Sequence, residues 1–442
     1  MAQTITPQII NLSAILTVAP TPSQLQQSGA LVSVGGTSLA TGSYQYCGTL
    51  SAVESILQSS GTGNYAELNT MATTFFAQGT AVGCYVLELG AQSNAVAAIE
   101  ALQTWITNNP GVFYAYLVPA AWDNQDEVVG SVIISSGGSG YTAAPAVAFA
   151  GGGGSGATGT AIIQNGAVTG VTITNPGQGY TSAPAVTFSG GGGTGAAGTA
   201  NLAAELDIVA GNFAGPAAKT YFFVTTTVAN VAIYSGNKSV YTFVPSPTAT
   251  SSEFGAAADF YNFLSNNPGP NSKLAPMAYR YVYGVTPWPQ TGYASQVNTV
   301  LSAYGNLHYQ GSEGGISNTC IYKGTTMDGS QSSWWYGIDW YQITVKQDLA
   351  AEVINGSNSN PPLLYDQDGI NQLAGVAQRD LNTAIKYGCA LSGTISAASF
   401  STYTSENPTY YKAGIYNGMS ATVVGQNGFL TVGFVLDAVE FA

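Results

Sequence analysis

One stretch of the chain repeats itself, and the repeat limits what that stretch can fold into. Gly138-Ser-Gly-Tyr141-Thr-Ala-Ala-Pro145-Ala-Val147-Ala-Phe149 recurs as Gly177-Gln-Gly-Tyr180-Thr-Ser-Ala-Pro184-Ala-Val186-Thr-Phe188. Each copy runs into four glycines, from Gly151 and from Gly190, and continues to Gly159-Thr-Ala161 and Gly198-Thr-Ala200. The offset stays at about 39 residues, which marks an internal duplication. Short Val/Ile/Thr runs such as Val171–Thr174 lie between glycine turns, so residues 128–204 read as a small all-β insertion. No Gly-Lys-Ser/Thr follows the glycines, which excludes a phosphate loop, and the aspartates of a calcium-binding repeat are missing.

On either side the pattern is α/β. Ser51–Glu54 is a capping-box pattern opening a helix. Leu68, Met71 and Phe75 share one face of a second helix, and Val96, Ile99, Leu102 and Trp105 or Ile106 one face of a third. Residues 82–89 and 112–118 read as strands. After the insertion, 220–227, 240–244 and 278–285 read as strands and 252–264 as a helix, so the insertion interrupts one domain rather than joining two. A further helix carries Val297, Val300 and Leu301. Two more follow, one starting near Asp339 and ending at Gly356, the other carrying Ile370, Leu373, Val376, Leu381 and Ile385. The termini are strands: Ile10, Leu12, Ala14, Leu16 and Val18 alternate with polar residues, as do Leu430, Val432, Phe434 and Leu436 with their neighbours. Each can pair within its own domain or across to another subunit.

Charge is the compositional anomaly. Of 442 residues only 7% are charged, against roughly 25% in an ordinary soluble domain. A surface of small neutral groups carries little ionic desolvation cost when covered by protein, which suits assembly and also suits a low-charge β-rich secreted protein. A net charge of −13 argues against a nucleic-acid partner. No secretory signal and no apolar run of membrane-spanning length is expected, so folding in a cytoplasm is. Cys47, Cys84, Cys320 and Cys389 are spaced for free buried thiols rather than metal or disulfides.

Catalytic chemistry finds little to work with. The one histidine, His308, is expected at a helix end in a capping or solvent role, and no Gly-x-Ser-x-Gly elbow is present. Asp123, Asp126 and Glu127 cluster before the insertion, and Asp366 and Asp368 before a helix, where a cap is the favoured role. No cofactor and no metal is expected.

The C-terminal third carries a recognisable pattern. Asn318-Thr-Cys-Ile-Tyr-Lys-Gly324-Thr-Thr-Met-Asp328-Gly329 is followed by Gly337-Ile-Asp339-Trp340, then by Tyr411-Lys-Ala-Gly414-Ile-Tyr-Asn417-Gly418 and Gly428–Phe434. This resembles the contractile tail sheath proteins of myophages, well over residues 318–442 and loosely over most of the rest except the duplicated insertion. Ser333-Trp334-Trp335-Tyr336 departs from it, standing where an acid and a base are expected. The resemblance implies an α/β (α+β) sheath-type core with N- and C-terminal β arms. It divides the chain into an arm (1–22), a core in two parts (23–127 and 205–316), a C-terminal sheath domain (317–425) and a closing arm strand (426–442). It also implies a homo-oligomer of stacked hexameric rings around a tail tube protein, bounded by baseplate and tail terminator proteins, in a virion tail assembled in a bacterial cytoplasm. On that reading the terminal strands are inter-subunit arms and the insertion faces outward; its Tyr141 and Tyr180 can stack on sugars or packing partners, a core place in the glycine turns being the favoured role. A β-rich adhesin or carbohydrate-binding protein acting through the insertion is the alternative.

Overall fold

The computed structural model describes residues 25–59, 61–123, 128–215, 219–311 and 317–431. Its centre is a six-stranded sheet. β1 (Gly29–Ser33), β3 (Cys84–Glu88), β4 (Ala115–Leu117), β11 (Tyr221–Thr225) and β12 (Val240–Phe243) are parallel, and β2 (Tyr44–Cys47) pairs antiparallel with β3 at one edge. The order β12-β11-β4-β1-β3-β2 reverses between β1 and β4, the doubly wound arrangement. Parallel strands are covered on both faces and so read as continuous apolar runs, as Tyr221–Val224 does.

One face buries Leu31, Val86, Leu117 and Phe223 beneath α2 (Tyr65–Phe76) and α5 (Gly255–Leu264). The other buries Val32, Leu87, Tyr116 and Phe222 beneath α3 (Ala95–Asn108) and α4 (Glu205–Asn212). The short α1 (Leu50–Glu54) is capped by Thr49, whose side chain accepts from the Ala52 amide, so the cap stands two residues before the expected Ser51. All four cysteines are free and buried.

Between β4 and β11 the chain forms a second six-stranded antiparallel sheet. It comprises β5 (Val128–Ser139), β6 (Ala146–Ala150), β7 (Thr158–Gln164), β8 (Ala167–Asn175), β9 (Ala185–Ser189) and β10 (Thr194–Ala203), in the order β5-β10-β9-β6-β7-β8. The repeat offset carries β5 to β8, β6 to β9 and β7 to β10, so the sheet is pseudo-symmetric about its β6–β9 pair. Its two small cores are mixed: Tyr141 and Ala161 pack with Val168 and Phe188, while Tyr180 and Ala200 pack with Val129 and Phe149. The Tyr141 hydroxyl accepts from the Ala196 amide (3.3 Å) and Tyr180 from Ala157 (3.4 Å), equivalent bonds in the two copies. A Cβ at Gly154 or Gly193 would lie 2.5 Å from the opposite copy's tyrosine ring, so these glycines let the rings seat.

The C-terminal part comprises α6 (Ala294–Ser302), the pair β13 (Leu307–Gln310) and β14 (Thr319–Tyr322), α7 (Ser332–Ser357), α8 (Gln367–Lys386), β15 (Ala390–Ala397), α9 (Phe400–Glu406), α10 (Pro408–Lys412) and β16 (Met419–Gly425). Three expectations change here. Helix α7 starts at Ser332, not near Asp339, because Trp334 and Trp335 pack into the molecule and override the weak helix propensity of that run. Residues 278–285 form no regular strand; Tyr279 has φ +64° and one bridge, Tyr281 to Cys320, remains. His308 lies in β13 rather than at a helix end, and is fully buried.

Candidate assembly site

The motif residues of the C-terminal third are joints of the main chain. Gly324 (φ +76°) and Gly329 (φ +86°) bracket a turn, and at Gly324 a Cβ would come 2.6 Å from that of Met277. Asp328 holds the turn: its carboxylate accepts from Thr326 Oγ1 (2.7 Å), the Ser330 amide (3.0 Å) and Trp335 Nε1 (2.9 Å). Trp335 also carries Lys238 Nζ 4.5 Å above its ring, so an aromatic does occupy the place where the resemblance expects charge. Two residues on, Gly337 lets α7 touch the main chain of Cys389, whose Cα and carbonyl carbon would lie 2.9 Å from an added Cβ.

Asp339 is the strongest joint. It is buried, and its Oδ2 accepts from the hydroxyls of Tyr114 (2.9 Å), just before β4, and Tyr221 (2.8 Å), which opens β11. Burial pushes its carboxyl up, against the pull of Lys219 and Lys238. The pair of hydroxyls ties α7 to the central sheet. Trp340 continues the contact into α8, with its ring 5.6 Å from Tyr387. Gly414 (φ +70°) follows α10; the Asn417 amide donates to the Tyr403 hydroxyl (2.9 Å), and Gly418 passes against the Tyr403 and Tyr416 rings into β16.

What these joints position is a two-stranded sheet. β15 and β16 pair antiparallel from Ala390↔Gly425 to Ala397↔Met419. Ile395 and Val423 face Leu381 of α8, while Leu391 and Val424 are 57% and 46% exposed on the other side. Among the described residues no further strand pairs with either edge of it. A two-stranded sheet of this kind is a template for strand addition. From Gly425 the chain runs past Gln331, which exchanges two hydrogen bonds with Gly428 (2.7 and 2.9 Å), and exposes Phe429 (84%). The Leu430 carbonyl accepts from the Tyr279 hydroxyl at 2.5 Å. Of the expected arm residues only Leu430 is therefore placed; Ile10, Leu12, Ala14, Leu16, Val18, Val432, Phe434 and Leu436 lie outside the described residues.

The polar residues with catalytic potential are otherwise engaged. Asp123 accepts from Thr226 (2.8 Å), Asn230 (3.0 Å) and Tyr234 (3.1 Å), tying its loop to the strand ends rather than standing as a surface acid. Asp126 and Glu127 lie outside the described residues. Asp366 caps α8 through the Gly369 amide (2.9 Å), and Asp368 sits in that first turn. Glu88, unremarked in the sequence, is buried and accepts five bonds from Ser33, Gly35, Thr37 and Gly90, filling with its own carboxylate the loop that follows β1. Burial pushes Cys47 up to about 11 and Cys389 to about 12, leaving neutral thiols at physiological pH. Tyr141 and Tyr180 are buried, with no ring face free for a sugar. Among the described residues no cluster could hold a metal ion, and no helix is long and apolar enough to cross a membrane.

No protein-family model matches the chain, and no curated protein matches it. Solved structures do. A chain of the anti-feeding prophage baseplate, 6-fold symmetrised, superposes with a TM-score of 0.56 at 10% identity, over 99% of this chain and 100% of that one. A chain of the same baseplate in its contracted state gives 0.52 at 11%, over 98% and 99%. A sheath tail protein from Listeria innocua gives 0.38 at 10% over 84% and 89%, too loose to carry weight. At such identities the likeness is one of fold. The chain carries, over nearly all its length, the fold of a chain in the anti-feeding prophage baseplate.

Proposed function

We propose that this chain is a structural subunit of a contractile phage or prophage tail and not an enzyme. It stacks as hexameric rings around a tail tube and contracts to drive that tube through a host envelope. The reading is carried by the baseplate likeness, which leaves neither chain with a large unmatched part. The two-stranded β15–β16 sheet, which no further strand joins among the described residues, supports a mechanism. Terminal strands of neighbouring subunits, residues 10–18 and 430–441, add to its edges, and main-chain hydrogen bonds keep subunits tethered while their bodies rotate. In this scheme 1–22 and 426–442 are arms, 23–127 with 205–316 the core, 317–425 the sheath domain, and 128–204 a decoration on the outside. Tube, baseplate and terminator proteins are its partners in the virion tail, and no cofactor takes part. Deleting residues 1–18 tests the arm: the variant keeps the wild-type circular dichroism spectrum and forms no long tubes. Normal tubes from the truncated chain overturn the arm assignment.

A further inference from the structure

Helices α7 and α8 meet at a place with more acceptors than donors. Arg379 of α8 holds Nη2 2.6 Å from Asp348 Oδ2 of α7 and 3.1 Å from Oδ1 of Asp380, its neighbour in α8, so one guanidinium serves two carboxylates. Asp348 and Arg379 reach solvent, whereas Asp380 is buried and its Oδ2 has no hydrogen-bond partner. From α7 the side chain within hydrogen-bonding reach of Asp380 is Asp348, which when ionised can only accept. A buried acceptor beside another acceptor lacks one hydrogen, and a proton on Asp380 supplies it. Burial first, then Asp348, pushes the Asp380 carboxyl up to about 6, against the pull of Arg379. The other groups at the seam do not titrate with it. Tyr341 of α7, whose hydroxyl donates to the Ala377 carbonyl of α8 (3.4 Å), is pushed up to about 12 and stays neutral. Lys346 of α7 is lowered by burial, then by Lys219, and Glu352 accepts from Gln372. The strands β15 and β16, packed on α8, carry no ionisable side chain, and α9 meets α8 at its far end, through Gln367.

Two attachments meet across this seam. Asp339 ties α7 to the central sheet, while Leu381 and Ala384 of α8 pack with Ile395 of β15 and Val423 of β16. We propose that Asp348 and Asp380 form a proton-operated joint between α7 and α8, closed when Asp380 donates its proton to Asp348 and loosened when both carboxyls are ionised. A carboxyl raised in the folded state gives its full stabilisation below its unfolded value of about 3.9 and loses it as pH rises through about 6. Acid therefore tightens the seat of the β15–β16 sheet, and neutral pH frees it. All of these groups belong to one subunit, so the joint does not depend on assembly.

Hydrogen exchange of the full chain, read by mass spectrometry and corrected for the intrinsic pH dependence of exchange, tests it between pH 5 and pH 8. Protection of residues 367–386 and 390–397 falls by up to about tenfold across that range, the share of one proton whose site is ionised in the open state throughout, reduced by solvent screening. Asp380→Asn, whose amide donates to Asp348 at every pH, keeps at pH 8 the protection seen at pH 5. Glu205→Gln, in α4 on the central sheet, leaves the response of α8 unchanged. Carboxyl carbon NMR of aspartate-labelled protein shows one resonance, absent from Asp380→Asn, that titrates at about 6. Equal protection of wild type at both pH values overturns the proposal, as does a full wild-type response in Asp380→Asn. Loss of the response in Glu205→Gln, or titration of that resonance in the ordinary aspartate range, does so too. Unfolding curves at pH 5 show that the Asp380→Asn chain folds.

Discussion

The same substitution, glycine to alanine, should have opposite effects at two helical positions, and the difference follows from space alone. Gly375 lies exposed in α8, and a Cβ there would meet nothing within 4 Å. Gly375→Ala therefore shows only the helix-propensity gain, about 1 kcal/mol of added stability. Gly337 lies in α7 against the Cys389 main chain, whose carbonyl oxygen, carbonyl carbon and Cα all fall well inside contact distance of a new Cβ. Backbone cannot rotate away as a side chain can. Relief requires α7 and the residue-389 segment to separate by about 1 Å, toward ordinary carbon contact. That movement loosens Trp340 and stretches the two tyrosine bonds to Asp339, each at 2.8–2.9 Å. Overpacking costs about 1–3 kcal/mol, and strain on bonds to a buried carboxylate adds to it. After the propensity gain is subtracted, Gly337→Ala should lose about 1–3 kcal/mol. Urea unfolding followed by circular dichroism, with equal slopes for all three proteins, gives both numbers. A Gly337→Ala protein as stable as wild type refutes the tight seam between α7 and the β15 segment.

Glu205 tests the electrostatics. It opens α4 with Oε2 buried and unpartnered; burial first, then Glu100, pushes it up to about 7. A carboxyl raised in the folded state gives its full stabilisation below its unfolded value near 4.3 and loses it as pH rises through 7. Wild type should therefore gain thermal stability from pH 8 to pH 5. Glu205→Gln should be about 1–3 kcal/mol more stable at pH 8 and show a flatter profile; an unchanged slope removes Glu205 as its source. The mixed cores of the second sheet predict that half of it cannot stand alone. Deleting residues 167–203 should leave 128–166 open to proteolysis, whereas deleting 130–202 leaves the rest folded and able to assemble. A protease-resistant remnant after the first deletion contradicts the mixing.

Regular apolar spacing within one element was legible from the sequence: Val96, Ile99, Leu102 and Trp105 do bury one face of α3, and Asp366 does cap α8. What escaped depends on contacts between distant residues. Nothing near Asp339 signals that Tyr114 and Tyr221 will reach it, 225 and 118 positions away. The sequence places His308 at a helix end, but the helix stops at Ser302 and the residue meets Asp259 from a strand. The tyrosines along 278–285 alternate as a strand should, yet a left-handed residue at 279 prevents a regular ladder. The duplication was plain; that each copy completes the other's core was not, since periodicity records spacing and not partners.

Polymerisation is visible by negative-stain electron microscopy of the purified chain. Hollow cylinders built of stacked six-fold rings are the expected particles. A chain that stays monomeric at every concentration and salt condition, or that forms only closed small oligomers, contradicts it.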